Sequence, residues 1–355
     1  MELLYKPDFE DARAHWEAFW NREIIDRPCL AVRAPKEGSE IPPAPPYMDG
    51  WDGDFAEAVA RWEARAEHTY FAADAVPFLE PSFGPDQFGA FLGADLERSK
   101  DSFNRTSWAV PYVEDWRDAL PIRLDPDTMW WKKMLEFMRV AGKASEGKYL
   151  VGMLDMHSNL DALASIREPE DLCMDLIDCP ELVHLAMADV RALYAEIYDA
   201  LREAANMTER GSIGWISFYS PHRFAVMQCD FAIMVSPGMF NAFILPALEE
   251  EATFLDHSIY HYDGEGALRH LDEVLAIENL DGIQWVPGAG KPAQTEWPEL
   301  LARIQDAGKS LHVSGSVDRI KHLHGILKPE GVYYETTAKN EREAEEIVGW
   351  FVRNT

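Results

Sequence analysis

From about residue 145 onward, short runs of branched and aromatic residues alternate with amphipathic stretches of helical period. The runs 149–154, 213–218, 258–261, 282–286, 310–314 and 331–334 are each rich in strand-forming residues and flanked by polar or glycine-containing segments, which predicts six strands. Helix signals lie between them. Ser236-Pro237 opens a stretch in which Met239, Phe240, Phe243, Ile244, Ala247 and Leu248 recur at helical spacing. Another helix runs from Pro298 and ends near Gly308, and Asn340-Glu341 starts a last one with acids in its first turn. Strands separated by helices in this way predict a parallel sheet with right-handed crossovers. With room upstream for two more units, the pattern predicts a closed (β/α)8 TIM barrel in preference to an open doubly wound sheet.

The first 145 residues are less regular and read as an aromatic-rich N-terminal extension. Trp16, Phe19 and Trp20 predict a helix, residues 28–32 a first strand, and residues 41–46 a proline-rich loop. Trp51, Trp62, Trp108, Trp116, Trp130 and Trp131 are concentrated here. Core packing accounts for most of them, and some are candidates for a pocket wall. At 355 residues the chain is expected to form one barrel domain over 1–355, with the extension and loops to about 145 and the regular units from 145 to 355.

Charge narrows the list of partners. Lys+Arg number 33 against 62 Asp+Glu, a net charge of −29. Such a field repels polyanions, so neither nucleic acid nor an acidic membrane surface is an expected partner. No apolar run reaches membrane-spanning length and the N-terminus lacks a signal-peptide pattern, so the cytoplasm is the expected location. The four cysteines, Cys29, Cys173, Cys179 and Cys229, form no CxxC pair and read as free thiols.

Barrel enzymes carry their chemistry where strands hand over to loops at the C-terminal face. That rule selects Asp155 and His157 after one strand, Tyr219 after the next, then His261 and Asp263, Trp285, and Glu335 after the last. Residues i and i+2 of an extended segment point the same way, so His261 and Asp263 can face one centre, and an imidazole with a carboxylate suits zinc. The competing reading has His261 donating to a backbone carbonyl and Asp263 capping the next helix. Glu335 is the candidate third ligand, or else a solvated loop carboxylate. Asp155 and His157 share the i, i+2 relation and read either as a general base with its orienting partner or as a helix cap and a hydrogen-bonded core pair.

These residues resemble a known superfamily. Ser236-Pro237-Gly238-Met239-Phe240, leading into Phe243-Ile244-Leu245-Pro246, is similar to the SPEMFEEFxxP segment of the uroporphyrinogen decarboxylase superfamily. His261-Tyr262-Asp263-Gly264 falls where its corrinoid-linked methyltransferases carry a His-x-Cys-Gly zinc motif. Asn159, Asp161 and Arg167 sit where relatives carry D-x-L-x-x-x-R-G, with Glu168 in place of the glycine. The resemblance spans roughly 145–350 and implies a (β/α)8 barrel. The Arg-rich RQAGRYxPEY stretch of the true decarboxylases is absent, and 27–35 reads Arg-Pro-Cys-Leu-Ala-Val-Arg-Ala-Pro instead. A highly anionic porphyrinogen is therefore a poor fit, and the methyltransferase branch is the closer one.

The resemblance then implies a zinc-dependent methyltransferase or demethylase acting on a small, methoxylated or aromatic substrate. His261, Asp263 and Glu335 would hold the metal, with Asp155, His157 and Tyr219 catalytic and Trp108, Trp285 and Asn159 contacting substrate. No Asp-x-His-x-x-Gly motif occurs, so a corrinoid acceptor would ride on a separate protein. Two alternatives stay open: a cofactor-independent decarboxylase or lyase using Asp155, His157 and Tyr219, and a non-catalytic ligand-binding barrel.

Overall fold

The computed structural model describes residues 1–99 and 106–355. Its architecture is a (β/α)8-class barrel built around a parallel sheet. We label the strands β1 (Cys29–Pro35), β2 (Thr69–Ala73), β3 (Phe78–Leu79), β4 (Leu150–Val151), β5 (Ser212–Ile213), β6 (Phe224–Met227), β7 (His257–Asp263), β8 (Gly282–Val286), β9 (Ser310–Ser314) and β10 (Val332–Thr337). The main sheet runs β2-β1-β10-β9-β8-β7-β6, parallel throughout except that β2 lies antiparallel on β1. The other staves are short: β3 pairs with β4, and a single parallel bridge from Met153 to Gly214 joins the ends of β4 and β5.

The sequence pattern placed the strands at 257–263, 282–286, 310–314 and 332–337 within a few residues, and the helices Pro298–Asp306 and Glu341–Asn354 start where their caps predict. The run 213–218 departs from expectation. Only Ser212–Ile213 is strand; the chain then folds back, with Ile213 opposite Tyr219 and Ser212 opposite Ser220 in antiparallel pairing. It rises again through β6, a four-residue strand buried throughout. The return leg carries Tyr219 down to the level at which β5 begins.

The N-terminal end of the barrel is closed by α1 (Phe9–Trp20), whose apolar stripe drives it inward. Phe9 packs against Tyr219, Trp16 against Tyr333 with ring centres 4.7 Å apart, and the Trp20 indole donates to the Tyr219 carbonyl at 2.8 Å. Arg27 pairs with the fully buried Asp74, which also accepts from the Leu30 backbone at 2.8 Å, so the start of β1 is anchored on a satisfied buried ion pair. The aromatic extension is mostly core: Trp16, Trp116, Trp130 and Trp131 are all buried. Among the described residues, no helix is long and apolar enough to cross a membrane, and all four cysteines are free.

Candidate active site

Strand parity sets the inward face. On β7, Tyr262 turns outward to meet Trp285, so His261 and Asp263 turn into the mouth. Gly264 follows with φ 81°, a conformation open to glycine, and its N–H bonds the Val286 carbonyl at 2.8 Å. The strand therefore breaks off just after Asp263 and leaves its carboxylate exposed at the rim. The neighbouring strand β6 runs on through Gln228 and Cys229 to Asp230. Asp230, His261 and Asp263 each offer a ligand atom, all within 4.8 Å of one another.

A ladder of side chains holds His261 from behind. In the parallel register His261 faces Gln284, and Gln284 faces His312. His261 Nδ1 lies 2.5 Å from Gln284 Oε1, Gln284 Nε2 lies 2.9 Å from His312 Nδ1, and His312 Nε2 lies 3.0 Å from Glu335 Oε2. Arg33 on β1 closes the row by pairing with Glu335. The directions follow from the far end. A carboxylate only accepts, so His312 donates from Nε2 and accepts at Nδ1. Gln284 then donates its amide N–H to His312 and accepts from His261 Nδ1. His261 is left with its Nε2 lone pair free, the form in which an imidazole ligates a metal. Burial alone would raise the Glu335 pKa, but the Arg33 charge and the His312 hydrogen bond outweigh it and hold the carboxyl well below the usual carboxylate range.

Asp155 and His157 lie beside this row, after β4. His157 Nε2 is 3.0 Å from Asp155 and its Nδ1 is 3.4 Å from Asp161. Burial opposes the imidazolium, yet the two carboxylates prevail and raise the His157 pKa well above its ordinary value. Asp155 also accepts from Gln228 at 2.7 Å, and Asp161 accepts from the backbone of Asp230 and Phe231 at 2.9 and 2.8 Å. This cluster thus fixes the loop that presents Asp230. His157 and Asn159 both take positive φ, 35° and 55°, in a segment where such strain marks a constrained loop. Crowding by the surrounding protein and the nearby Asp161 push the Asp230 carboxyl up to about 6. Glu80, two residues beyond Phe78, is raised to about 8 by burial and by Asp155.

Of the residues selected from sequence, the structure brings His261 and Asp263 together, and likewise Asp155 and His157. Trp108, about half exposed, lines a 410 Å³ pocket with His157, Asp161 and Asp230. Four placements need correction. Glu335 stands with Arg33 and His312, and the third acid beside His261 and Asp263 is Asp230. Tyr219 is buried against α1, its hydroxyl donating to the Arg210 carbonyl at 3.2 Å, because the hairpin return takes it away from the rim. Trp285 is 1% exposed and packs outward on Tyr262 and Trp297, since its neighbour Gln284 takes the inward position. Asn159 is fully buried, its amide latched to the Gln228 carbonyl at 2.9 Å. Sequence reasoning missed Asp230, Gln284, His312, Arg33 and Glu80. The apolar run Phe224–Met227 ahead of Gln-Cys-Asp was the signal for Asp230; the others depend on register.

No protein-family model and no curated protein matches the chain. Among solved structures it is similar to a methyltransferase from Methanosarcina mazei, with a TM-score of 0.62 and 13% identity over 97% of this chain and 98% of that one. At this identity the likeness shows the shared barrel fold. A B12-independent methionine synthase from Shewanella sp. W3-18-1 matches at a TM-score of 0.42 and 12% identity, over 78% of this chain and 77% of that one, too far to argue from.

Proposed function

We propose that the chain is a zinc-dependent methyltransferase that takes a methyl group from a small molecule in the barrel mouth and passes it to a corrinoid on a separate protein. The observation that carries this reading is the convergence of His261, Asp263 and Asp230, with His261 held in its ligating tautomer by Gln284. One imidazole and two carboxylates make a borderline-to-hard donor set that zinc accepts, and three protein ligands leave a position open. Zinc bound there would supply Lewis acidity toward the oxygen of a methyl ether. The sequence resemblance and the barrel shared with the Methanosarcina mazei methyltransferase support methyl transfer.

The chain's own groups do the rest in this reading. Trp215 packs edge-on to His261 at 5.0 Å and keeps water from that side of the imidazole. Asp155 and His157 position Gln228 and the Asp230 loop. The test is metal analysis of wild type beside His261→Ala, followed by methyl transfer from methoxylated donors to reduced cobalamin. About one equivalent of zinc, lost in the variant, is expected. A wild type that stays metal-free after incubation with zinc ends this reading.

A further inference from the structure

A cavity of about 620 Å³ opens beside the His261 centre, large enough for a one-ring ligand. One wall comes from α2 (Phe55–Glu67), where Trp62, Arg65 and Ala66 fall at i, i+3 and i+4 and so share a face. Phe71, Val76 and Phe78 extend that wall with apolar surface. The opposite wall is the inner side of the ladder, with Arg33, Gln284, His312 and Glu335. Trp215 and Gln284 line the cavity and also contact His261, which sets the cavity next to that centre.

The charges on this lining do not cancel. Arg33 is neutralised by Glu335. The half-buried Arg65 donates to the Pro42 carbonyl and has no carboxylate within ion-pair distance among the described residues. In a chain with 62 acidic and 33 basic side chains, this cavity therefore has a net positive wall. A guanidinium facing a cavity without a counter-ion is a carboxylate site by geometry as well as charge.

We infer that this cavity is the substrate pocket and that it takes a small organic anion with a flat apolar body. The carboxylate pairs with Arg65, the ring lies against Trp62, Phe71 and Phe78, and the far end reaches past Gln284 to the His261 centre. The inference deepens the methyl-transfer reading and rests on it for the reaction, but binding needs neither zinc nor turnover.

The test is calorimetric titration of the full chain with 4-methoxybenzoate and with the neutral 4-methoxybenzamide. Wild type, Arg65→Met and Trp62→Ala are compared, with thermal unfolding as a fold control. The carboxylate is expected to bind wild type, and on the order of ten- to hundredfold more weakly Arg65→Met. The amide is expected to bind weakly and to be indifferent to Arg65→Met. Trp62→Ala is expected to weaken both. No binding of the carboxylate at millimolar concentration, equal binding of the amide, or undiminished binding by a folded Arg65→Met would each overturn the inference. Zinc held at His261 without anion binding would sink the pocket and leave the metal reading standing. Anion binding in a protein that never takes up zinc would do the reverse.

Discussion

Two histidines at the barrel mouth stand in nearly the same local sequence and meet opposite surroundings. Asp155 and His157 are spaced i, i+2, as are His261 and Asp263. His157 is clamped at both ring nitrogens by carboxylates, Asp155 at 3.0 Å and Asp161 at 3.4 Å, and is held as a cation. His261 is bonded at Nδ1 by a neutral amide, Gln284, and offers a ring nitrogen within 4.8 Å of carboxylate oxygens of Asp230 and Asp263. A histidine with both nitrogens occupied stabilises a loop. One with a free lone pair beside two acids has a ligand position to offer. The partners that decide between these fates come from other strands, not from the motif.

The comparison breaks most sharply at the metal. His261→Ala is expected to lower zinc affinity by roughly three orders of magnitude or more, to no measurable occupancy, while shifting apo-protein stability by less than about 1 kcal/mol. Inductively coupled plasma analysis beside urea unfolding reads both quantities. The reciprocal variant, His157→Ala, leaves two acids facing each other without their cation. It is expected to cost about 3 kcal/mol of stability and to retain zinc, a pattern that urea midpoints would show. If His157→Ala loses zinc as completely as His261→Ala, the division of labour drawn between the two is wrong.

Gln284→Leu sharpens the same contrast more gently. Without the amide, His261 loses its orienting acceptor and its fixed tautomer, and zinc affinity is expected to fall roughly ten- to a hundredfold in competition with a chelator. An unchanged affinity would mean that the ladder from Arg33 to Gln284 is scaffolding only.

The smallest expected effect is on pH dependence. Burial pushes the Glu251 carboxyl up to about 8, beneath the Ser158 hydroxyl that donates to it at 2.6 Å. A carboxyl whose folded pKa is raised binds a proton in the folded state that the unfolded chain has released. Stability therefore falls as pH rises from the ordinary carboxylate range toward about 8, then levels off. Glu251→Gln should flatten that slope by at most about 1.4 kcal/mol per pH unit, measured as urea midpoints between pH 6 and 9. His157, raised in the same direction, leaves its own slope in the variant; identical slopes in wild type and variant would refute the Glu251 assignment.

Legibility followed sequence distance. Strand parity is a local property, so His261 and Asp263 could be assigned to one face from the pattern alone, and the end of β7 was marked by Gly264. Tyr219 and Trp285 show where local pattern fails. The run 213–218, with Tyr219 just after it, looks like one strand, yet the chain folds back within it, and Ile213 pairs with Tyr219. Trp285 lies in a strand that was correctly placed, but which of two alternate residues faces the mouth is set by the packing of Tyr262 and Trp297 outside.

What the sequence by itself determined is the alternation of strands and helices, hence the barrel, and the rim positions at which chemistry can sit. Both rest on periodicities of two and 3.6 residues that act between near neighbours. What only the tertiary structure decided is which rim residues meet. Asp230 reaches His261 because β6 pairs with β7, and Gln284, His312 and Glu335 form a row because β8, β9 and β10 hold parallel register. Arg65 faces the same mouth from a helix some 200 residues away in the chain. A hydrogen bond or an ion pair depends on ångström distances between groups far apart in sequence, and those distances exist only once the barrel has closed.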